Sequence, residues 1–317
     1  MKRALIIGVS GQDGAYLSKL LLTKKYQVWG TSRDVHGADF TKLSKLNILN
    51  QVKLLTLSCD DLSSFLKALE ISNPDEVYYL AGQSSVSLSF EKPAESIQSI
   101  VLGTLYLLEA CKTINKEIKI YFAGSSECFG DTGKVKATEL TAFKPKSPYA
   151  VAKASSYWLV NNYRESYNTK ACTGLLFNHE SPLRPERFVT QKIISAAKRI
   201  SKGSNEILEL GNLDISRDWG WASEYVEAMW LMLQQVEFKD YVISTGETNS
   251  LKEFVSEAFL FFGLDWRKHV KVNDKYLRPT DIIYNGGNSN KAKTELGWSP
   301  KIKMRDAISM MIENIYY

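Results

Sequence analysis

The sequence predicts an α/β fold: a doubly wound parallel sheet flanked by helices, with a smaller α/β lobe beside it. Three observations carry this expectation. Short aliphatic and β-branched runs alternate with amphipathic stretches through the first half; a glycine-rich turn follows the first run; and beyond Asn178 the alternation gives way to a loop rich in Pro and Arg. Alternation of this kind is what parallel strands joined by crossover helices require.

In chain order, strands are expected at 4–7, 27–31, 52–57, 76–80, 118–122 and 171–177. Helical spacing of apolar residues falls between them at 15–24, 62–71, 99–112 and 150–167. After the 181–188 loop come a helix at 189–201, a short strand at 207–210 and a strand at 241–245. Ser250 and Glu253 then form a capping-box pair that opens a helix with Phe254, Ala258 and Phe261 on one face. The sheet is assigned mainly to 1–177, with later elements near 211–245 interleaved, and the second lobe mainly to 178–317.

Composition narrows the function classes. With 317 residues, 44% hydrophobic and 24% charged, the chain can build a large core and is neither disordered nor fibrous. No apolar run reaches the length of a membrane span, and the opening run 4–9 is too short for a signal-peptide core, so the expected location is the cytoplasm. Cys59, Cys111, Cys128 and Cys172 form no CxxC pair and read as free thiols. The three histidines are scattered, which argues against a metal site. A net charge of +5 comes from Lys and Arg interspersed with acids, so no nucleic-acid partner is expected.

The turn after the first strand reads Gly8, Val9, Ser10, Gly11, Gln12, Asp13, Gly14. Gly8 permits the sharp turn, Gly11 lets backbone approach a pyrophosphate, and Gly14 lets the helix pack against the strand, aiming its N-terminal amides at negative charge. A strand before this loop and a helix after it make it a Rossmann-type dinucleotide site, with Gln12 and Asp13 at the helix start. Cofactor choice is read at the end of the second strand. There Arg33, with no acid at 31 or 32, favours NADP, while Asp34 keeps NAD open. Asp60, just past the third strand, is placed to meet the adenine edge.

Tyr149 and Lys153 are one helical turn apart on a shared face, preceded by Ser147 and Pro148. A cation beside a phenol favours its ionisation, so Tyr149 can act as a base towards a sugar hydroxyl while Lys153 also holds the nicotinamide ribose. Ser125 and Glu127 follow the fifth strand, at the carboxyl end of the sheet where open α/β folds bind ligands. Ser125 can hydrogen-bond the oxygen being oxidised, and Glu127 adds a carboxylate within the same short turn.

With these residues in view, the chain resembles the extended short-chain dehydrogenases and, within them, the GDP-mannose 4,6-dehydratase family. The likeness rests on GVSGQDGAYL at 8–17, AGQSSVSLSF at 81–90, GSSECFG at 124–130, SPYAVAK at 147–153, LFNHESPLRPERFVTQKI at 176–193, GNLDISRDWGWASEYVEAMW at 211–230 and RPTD at 278–281. It implies that Ser125, standing where the family usually has threonine, Glu127, Tyr149 and Lys153 are catalytic. It implies that His179 and Arg184 join the cofactor site, and that Ser85, Asn178, Lys192, Arg217 and Arg278 bind a GDP-sugar. The implied reaction oxidises C4, eliminates water across C5 and C6, and returns the hydride to C6 of a 4-keto-6-deoxy sugar.

Two departures from the family pattern stand out. Arg33 is followed by Asp34, Val35, His36 and Gly37 instead of a second arginine and a serine-rich loop, which bears on both NADP preference and tetramer formation. A homodimer or homotetramer, paired through helices near 99–112 and 150–167, is expected. Leu183 and Pro185 replace residues that are usually arginine and glycine in the family. Among alternatives, a GDP-manno-heptose would suit the same residues, while a 4-keto sugar reductase or epimerase would not need Glu127.

Overall fold

A computed structural model describes residues 1–114 and 116–316. The chain begins with β1 (Arg3–Ile7), α1 (Gln12–Thr23), β2 (Gln27–Ser32), the short α2 (Thr41–Lys45), β3 (Lys53–Thr56), α3 (Leu62–Ser72) and β4 (Glu76–Tyr79). It continues through α4 (Val86–Glu91), α5 (Pro93–Ile97), a wide π turn at Gln98–Leu102, α6 (Gly103–Thr113), β5 (Lys119–Ala123), α7 (Pro148–Tyr167) and β6 (Ala171–Leu176). One residue later β7 (Asn178–Glu180) begins a different sheet.

The remaining elements are α8 (Val189–Ser201), β8 (Leu208–Leu210), β9 (Ser216–Trp221), α9 (Ala222–Leu233), β10 (Tyr241–Ile243) and β11 (Thr248–Ser250). After them come α10 (Leu251–Leu260), β12 (Val270–Val272), β13 (Tyr284–Asn285), α11 (Asn290–Leu296) and α12 (Met304–Ile312). The seven-stranded main sheet runs β10-β6-β5-β4-β1-β2-β3, and every adjacent pair is parallel. The predicted doubly wound sheet is thus present, and a strand from beyond residue 240 completes its edge.

Strand order reverses between β1 and β4, so their carboxyl ends open a crevice. On one face, Tyr16, Leu17 and Leu21 of α1 pack with Val226 and Met229 of α9; on the other, Phe65 of α3, Leu107 of α6 and Val160 of α7 cover the strands. The second lobe has its own core, in which Ile193 and Ile194 of α8, Phe254 and Val255 of α10, and Ile308 of α12 enclose Trp219 and Trp221. In β9, residues 216–218 pair with β11, while Trp219–Trp221 pair with β7. The loop after β6 is thereby fastened over the main crevice. The Ser250–Glu253 capping box forms as expected, and all four cysteines are free thiols. Among the described residues, no helix is long and apolar enough to cross a membrane.

Candidate active site

The glycine turn lies at the strand-order reversal. Gly8 has φ +97°, and a Cβ there would come within 2.8 Å of the Ala81 amide nitrogen, just past β4. At Gly14 a Cβ would meet the Gly8 carbonyl at 2.5 Å, so only glycine lets α1 start this close to β1. No side chain caps the N-terminus of α1, leaving its first amides directed at the crevice. These features fit a dinucleotide pyrophosphate.

A cleft of about 470 Å³ opens from this turn towards the second lobe, within the roughly 300–1,000 Å³ range of ligand sites. Ser125, Glu127, Tyr149 and Lys153 all line it. Gly124 ends β5 where a Cβ would strike Thr173, and Ser125 then opens a single tight turn, its Oγ accepting from the Glu127 amide at 3.2 Å. Asn285 of β13 braces the turn by donating to the Ser126 carbonyl at 3.0 Å. Ser147 caps α7 through the Ala150 amide at 3.1 Å, with Pro148 at the first helical position. That cap sets the rotation of the helix, so Tyr149 and Lys153 both face the end of β5.

Lys153 Nζ donates to the Ala123 carbonyl at 2.8 Å and lies 5.9 Å from the centre of the Tyr149 ring. Burial brings its ammonium down to about 8. Burial also dominates at Tyr149, pushing the phenol above its ordinary range, while the Ser125 hydroxyl offsets part of that rise. The easing of phenol ionisation expected from a neighbouring cation comes here from Arg184, and desolvation outweighs it.

Ser85, Asn178, Lys192, Arg217 and Arg278 line the same cleft. Ser85 caps α4 through the Leu88 amide at 3.3 Å. Lys192 donates to the Glu209 carbonyl at 2.7 Å and lies 4.2 Å from the centre of the Tyr276 ring. Arg217 is almost fully buried; its Nη1 donates to the Ser216 and Ile282 carbonyls at 2.9 and 2.7 Å. Asp281 Oδ1 lies 3.5 Å from Arg217 and 3.8 Å from Arg278, bridging the two guanidinium groups. Burial lowers the Arg217 pKa from its ordinary value, and the Glu127 carboxylate is the leading charge that opposes this.

Asp13, His179 and Arg184 also line the cleft, whereas Gly8, Gly11, Gln12, Gly14, Arg33 and Asp60 lie outside its lining. Gln12 is buried and joins α1 to the loop after β6: it donates to the His179 carbonyl at 3.2 Å and accepts from Ser181 Oγ at 2.8 Å. Arg33 is exposed at the end of β2, with its guanidinium 3.8 Å from Glu95. Asp60 accepts from the Ser58 hydroxyl. Sequence reasoning missed Asn285, Asp281 and the buried Glu180, which accepts from Thr190 Oγ1 at 2.8 Å and faces Arg184 at 3.2 Å. Asp281 and Glu180 stand within segments already quoted as characteristic, so a search for acids beside the implied arginines would have found them.

The model of the family described as GDP-mannose 4,6 dehydratase matches residues 5–311. The chain belongs to that family. The GDP-mannose 4,6 dehydratase 1 of Arabidopsis thaliana is 44% identical over 322 residues, covering 98% of this chain and 89% of the relative. The human GDP-mannose 4,6 dehydratase is 40% identical over 334 residues, covering 98% and 90%. The fold is shared with the dTDP-glucose 4,6-dehydratase of Bacillus anthracis, solved in complex with NAD, at TM-score 0.86 and 18% identity over 99% of this chain and 96% of that one. Within the GDP-mannose 4,6-dehydratase family, the cleft described above is the place to look for chemistry.

Proposed function

We propose that this chain is a GDP-mannose 4,6-dehydratase, a hydro-lyase that converts GDP-mannose to GDP-4-keto-6-deoxymannose with NADP as its resident cofactor. The observation that carries this reading is Glu127: a carboxylate in the same tight turn as Ser125, facing the cleft with Tyr149, in a chain of this family. A hydride-transfer enzyme of this fold needs the tyrosine and lysine. Elimination of water needs a carboxylate as well.

In this reading the sheet and its interleaved elements, mainly 1–177, hold the dinucleotide, and 178–317 mainly hold the nucleotide sugar. The glycine turn and the α1 amides receive the pyrophosphate, Asp60 faces the adenine edge, Arg33 lies on the Asp60 side beyond the end of β2, and Asp13, His179 and Arg184 form the wall towards the sugar. Lys192, Arg217 and Arg278 supply cations for the GDP diphosphate, with Ser85 and Asn178 nearer the sugar.

When bound, the nicotinamide ring supplies a hydride acceptor for C4 and later a hydride donor for C6. Tyr149 takes the proton from the C4 hydroxyl, with the Lys153 ammonium favouring the phenolate and Ser125 hydrogen-bonded to O4. The resulting ketone acidifies the C5 proton, which Glu127 removes. Glu127, helped by Ser125, then gives that proton to the departing C6 hydroxyl, which leaves as water, and the proton first taken by Tyr149 balances the one that C5 regains when C6 is reduced. A second copy of the chain would cover Val151 and Trp158, which α7 leaves 44% and 62% exposed.

Incubation of the purified chain with GDP-mannose and NADP is expected to give a 4-keto product without net accumulation of NADPH. Turnover of a GDP-heptose with none of GDP-mannose would overturn the hexose assignment. Stoichiometric NADPH formation would overturn the dehydratase reading.

A further inference from the structure

The Rossmann-type reading places discrimination at the 2′ position of the adenosine ribose beside the end of β2. Here the glycine turn is anchored on that end: the Gly8 and Val9 amides donate to the Thr31 carbonyl at 3.3 and 3.2 Å. Arg33, the cation expected from the sequence to read this position, points elsewhere. Its side chain is 80% exposed, its nearest acid is Glu95 of α5 at 3.8 Å, and its charge is felt by Cys59 and Asp60 beyond β3.

A different cation occupies the glycine-turn side. Lys42 of α2 is half-buried, and its Nζ reaches back to donate to the Ser10 carbonyl at 3.0 Å. An ammonium has three donors, and a carbonyl takes one while leaving the charge uncompensated. Of the groups around it, Asp39, two residues before α2, is the acid whose charge favours the Lys42 ammonium, and its carboxylate also accepts from the Thr41 amide at 2.8 Å and from the Thr41 hydroxyl. Arg187, which lines the main cleft from the loop after β7, and Lys45 add like charge at Lys42. Cations gathered from two separate segments around a backbone turn are unfavourable until an anion joins them.

We propose that Lys42, assisted by Arg187 and the Ser10 hydroxyl, forms a phosphomonoester subsite that selects the 2′-phosphorylated dinucleotide. This rests on the reading that the chain holds a nicotinamide dinucleotide. A phosphomonoester carries close to two negative charges at neutral pH and three acceptor oxygens, which matches two free ammonium donors, a guanidinium and a hydroxyl. The loop at 34–37, which lacks the second arginine and the serines of the family, is thereby relieved of this task. The compensating cation comes from one helix further along.

The test is binding, read independently of turnover. The full chain, stripped of bound dinucleotide, is titrated with NADPH and with NADH by nicotinamide fluorescence. Wild type is expected to prefer NADPH, and 2′,5′-ADP to displace it better than 5′-ADP. Lys42→Met, which keeps the buried stem, is expected to weaken NADPH by about tenfold or more while NADH stays within about twofold, with Lys42→Arg restoring most of the preference. Equal weakening of both dinucleotides, an NADH preference in wild type, or a greater loss of selectivity in Arg33→Ala than in Lys42→Met would overturn the proposal. Binding of neither dinucleotide by wild type would overturn the nicotinamide reading itself.

Discussion

The Asp13 carboxylate and the His179 imidazole meet at 2.9 Å across the two walls of the cleft. The other ring nitrogen of His179 lies 2.7 Å from the Phe177 carbonyl. Both ring nitrogens thus face oxygens that the doubly protonated ring satisfies together. Burial acts against that charge, but Asp13 prevails and raises the His179 pKa. Burial likewise opposes the Asp13 carboxylate, yet His179 holds it down to about 2. The ring is also stacked on Tyr225, with centroids 4.5 Å apart.

This pair gives stability a pH dependence of known sign. The Asp13 contribution is complete above the unfolded carboxyl value of 3.8 and is lost as pH falls through about 2. The His179 contribution is complete below the unfolded value of 6.5 and is lost as pH rises through its raised folded value. Denaturant unfolding should therefore find the pair's full contribution between those two unfolded values. Asp13→Asn should cost about 3 kcal/mol within that window and flatten the alkaline decline. A variant as stable as wild type at pH 6 would refute the ion pair.

Glu127→Gln should separate the two halves of the reaction. Oxidation at C4 is expected to persist, seen as transient NADPH absorbance in a single turnover, while release of the 6-deoxy product falls by about 10²–10⁴-fold. Undiminished dehydration would show that another group removes the C5 proton.

Because burial brings Lys153 to about 8, the ammonium that supports the Tyr149 phenolate is discharged as pH rises past that value. The kcat/KM profile should fall on its alkaline side, and Lys153→Met should remove that limb while lowering the rate by about 10²-fold or more. A profile still flat at pH 10 would contradict this.

Ser125→Thr should remain active, since it keeps the hydroxyl at the start of the turn, whereas Ser125→Ala should lose about 1–3 kcal/mol of transition-state stabilisation. Steady-state kinetics on both variants decide it. If alanine matches threonine, Ser125 serves only as the cap of its turn.

Arg217→Lys is expected to raise KM for the GDP-sugar by about tenfold with a smaller effect on kcat, because one ammonium cannot reproduce the fork that holds two carbonyls and faces Asp281. An unchanged KM would place Arg217 outside the diphosphate site.

Local signals made much of this molecule legible. The glycine turn, the Ser250–Glu253 box and the alternation up to residue 177 are short-range patterns, and each corresponds to an element of the structure. That Ser125, Glu127, Tyr149 and Lys153 line one cleft was legible because Ser125 and Glu127 are two residues apart, and Tyr149 and Lys153 four. What escaped depends on contacts distant in sequence. Residues 216–221, SRDWGW, have no strand-like alternation, and β9 exists because β7, β11 and β13 pair with it. α9 buries Tyr225, Val226, Met229 and Leu233 at helical spacing beside α1 and leaves Glu227 exposed, but residues 228–233 are all apolar, which blurs that spacing in the sequence. Nothing local in the sequence marks Lys42; only the fold brings it to Ser10, 32 residues away.

Among the described residues β10 pairs only with β6, and it arrives after the chain has left the main sheet for the second lobe and returned. All six residues of β6 are buried, and Tyr241, Val242 and Ile243 of β10 are buried beside them. During synthesis, β6 must therefore wait through more than sixty residues of intervening chain, as the two strand ranges show, with an apolar edge exposed. Slow, long-range closure of this kind leaves a nascent chain open to mispairing. A fragment ending at residue 177 would retain that edge permanently and be prone to aggregate, however complete its glycine turn and its first six strands.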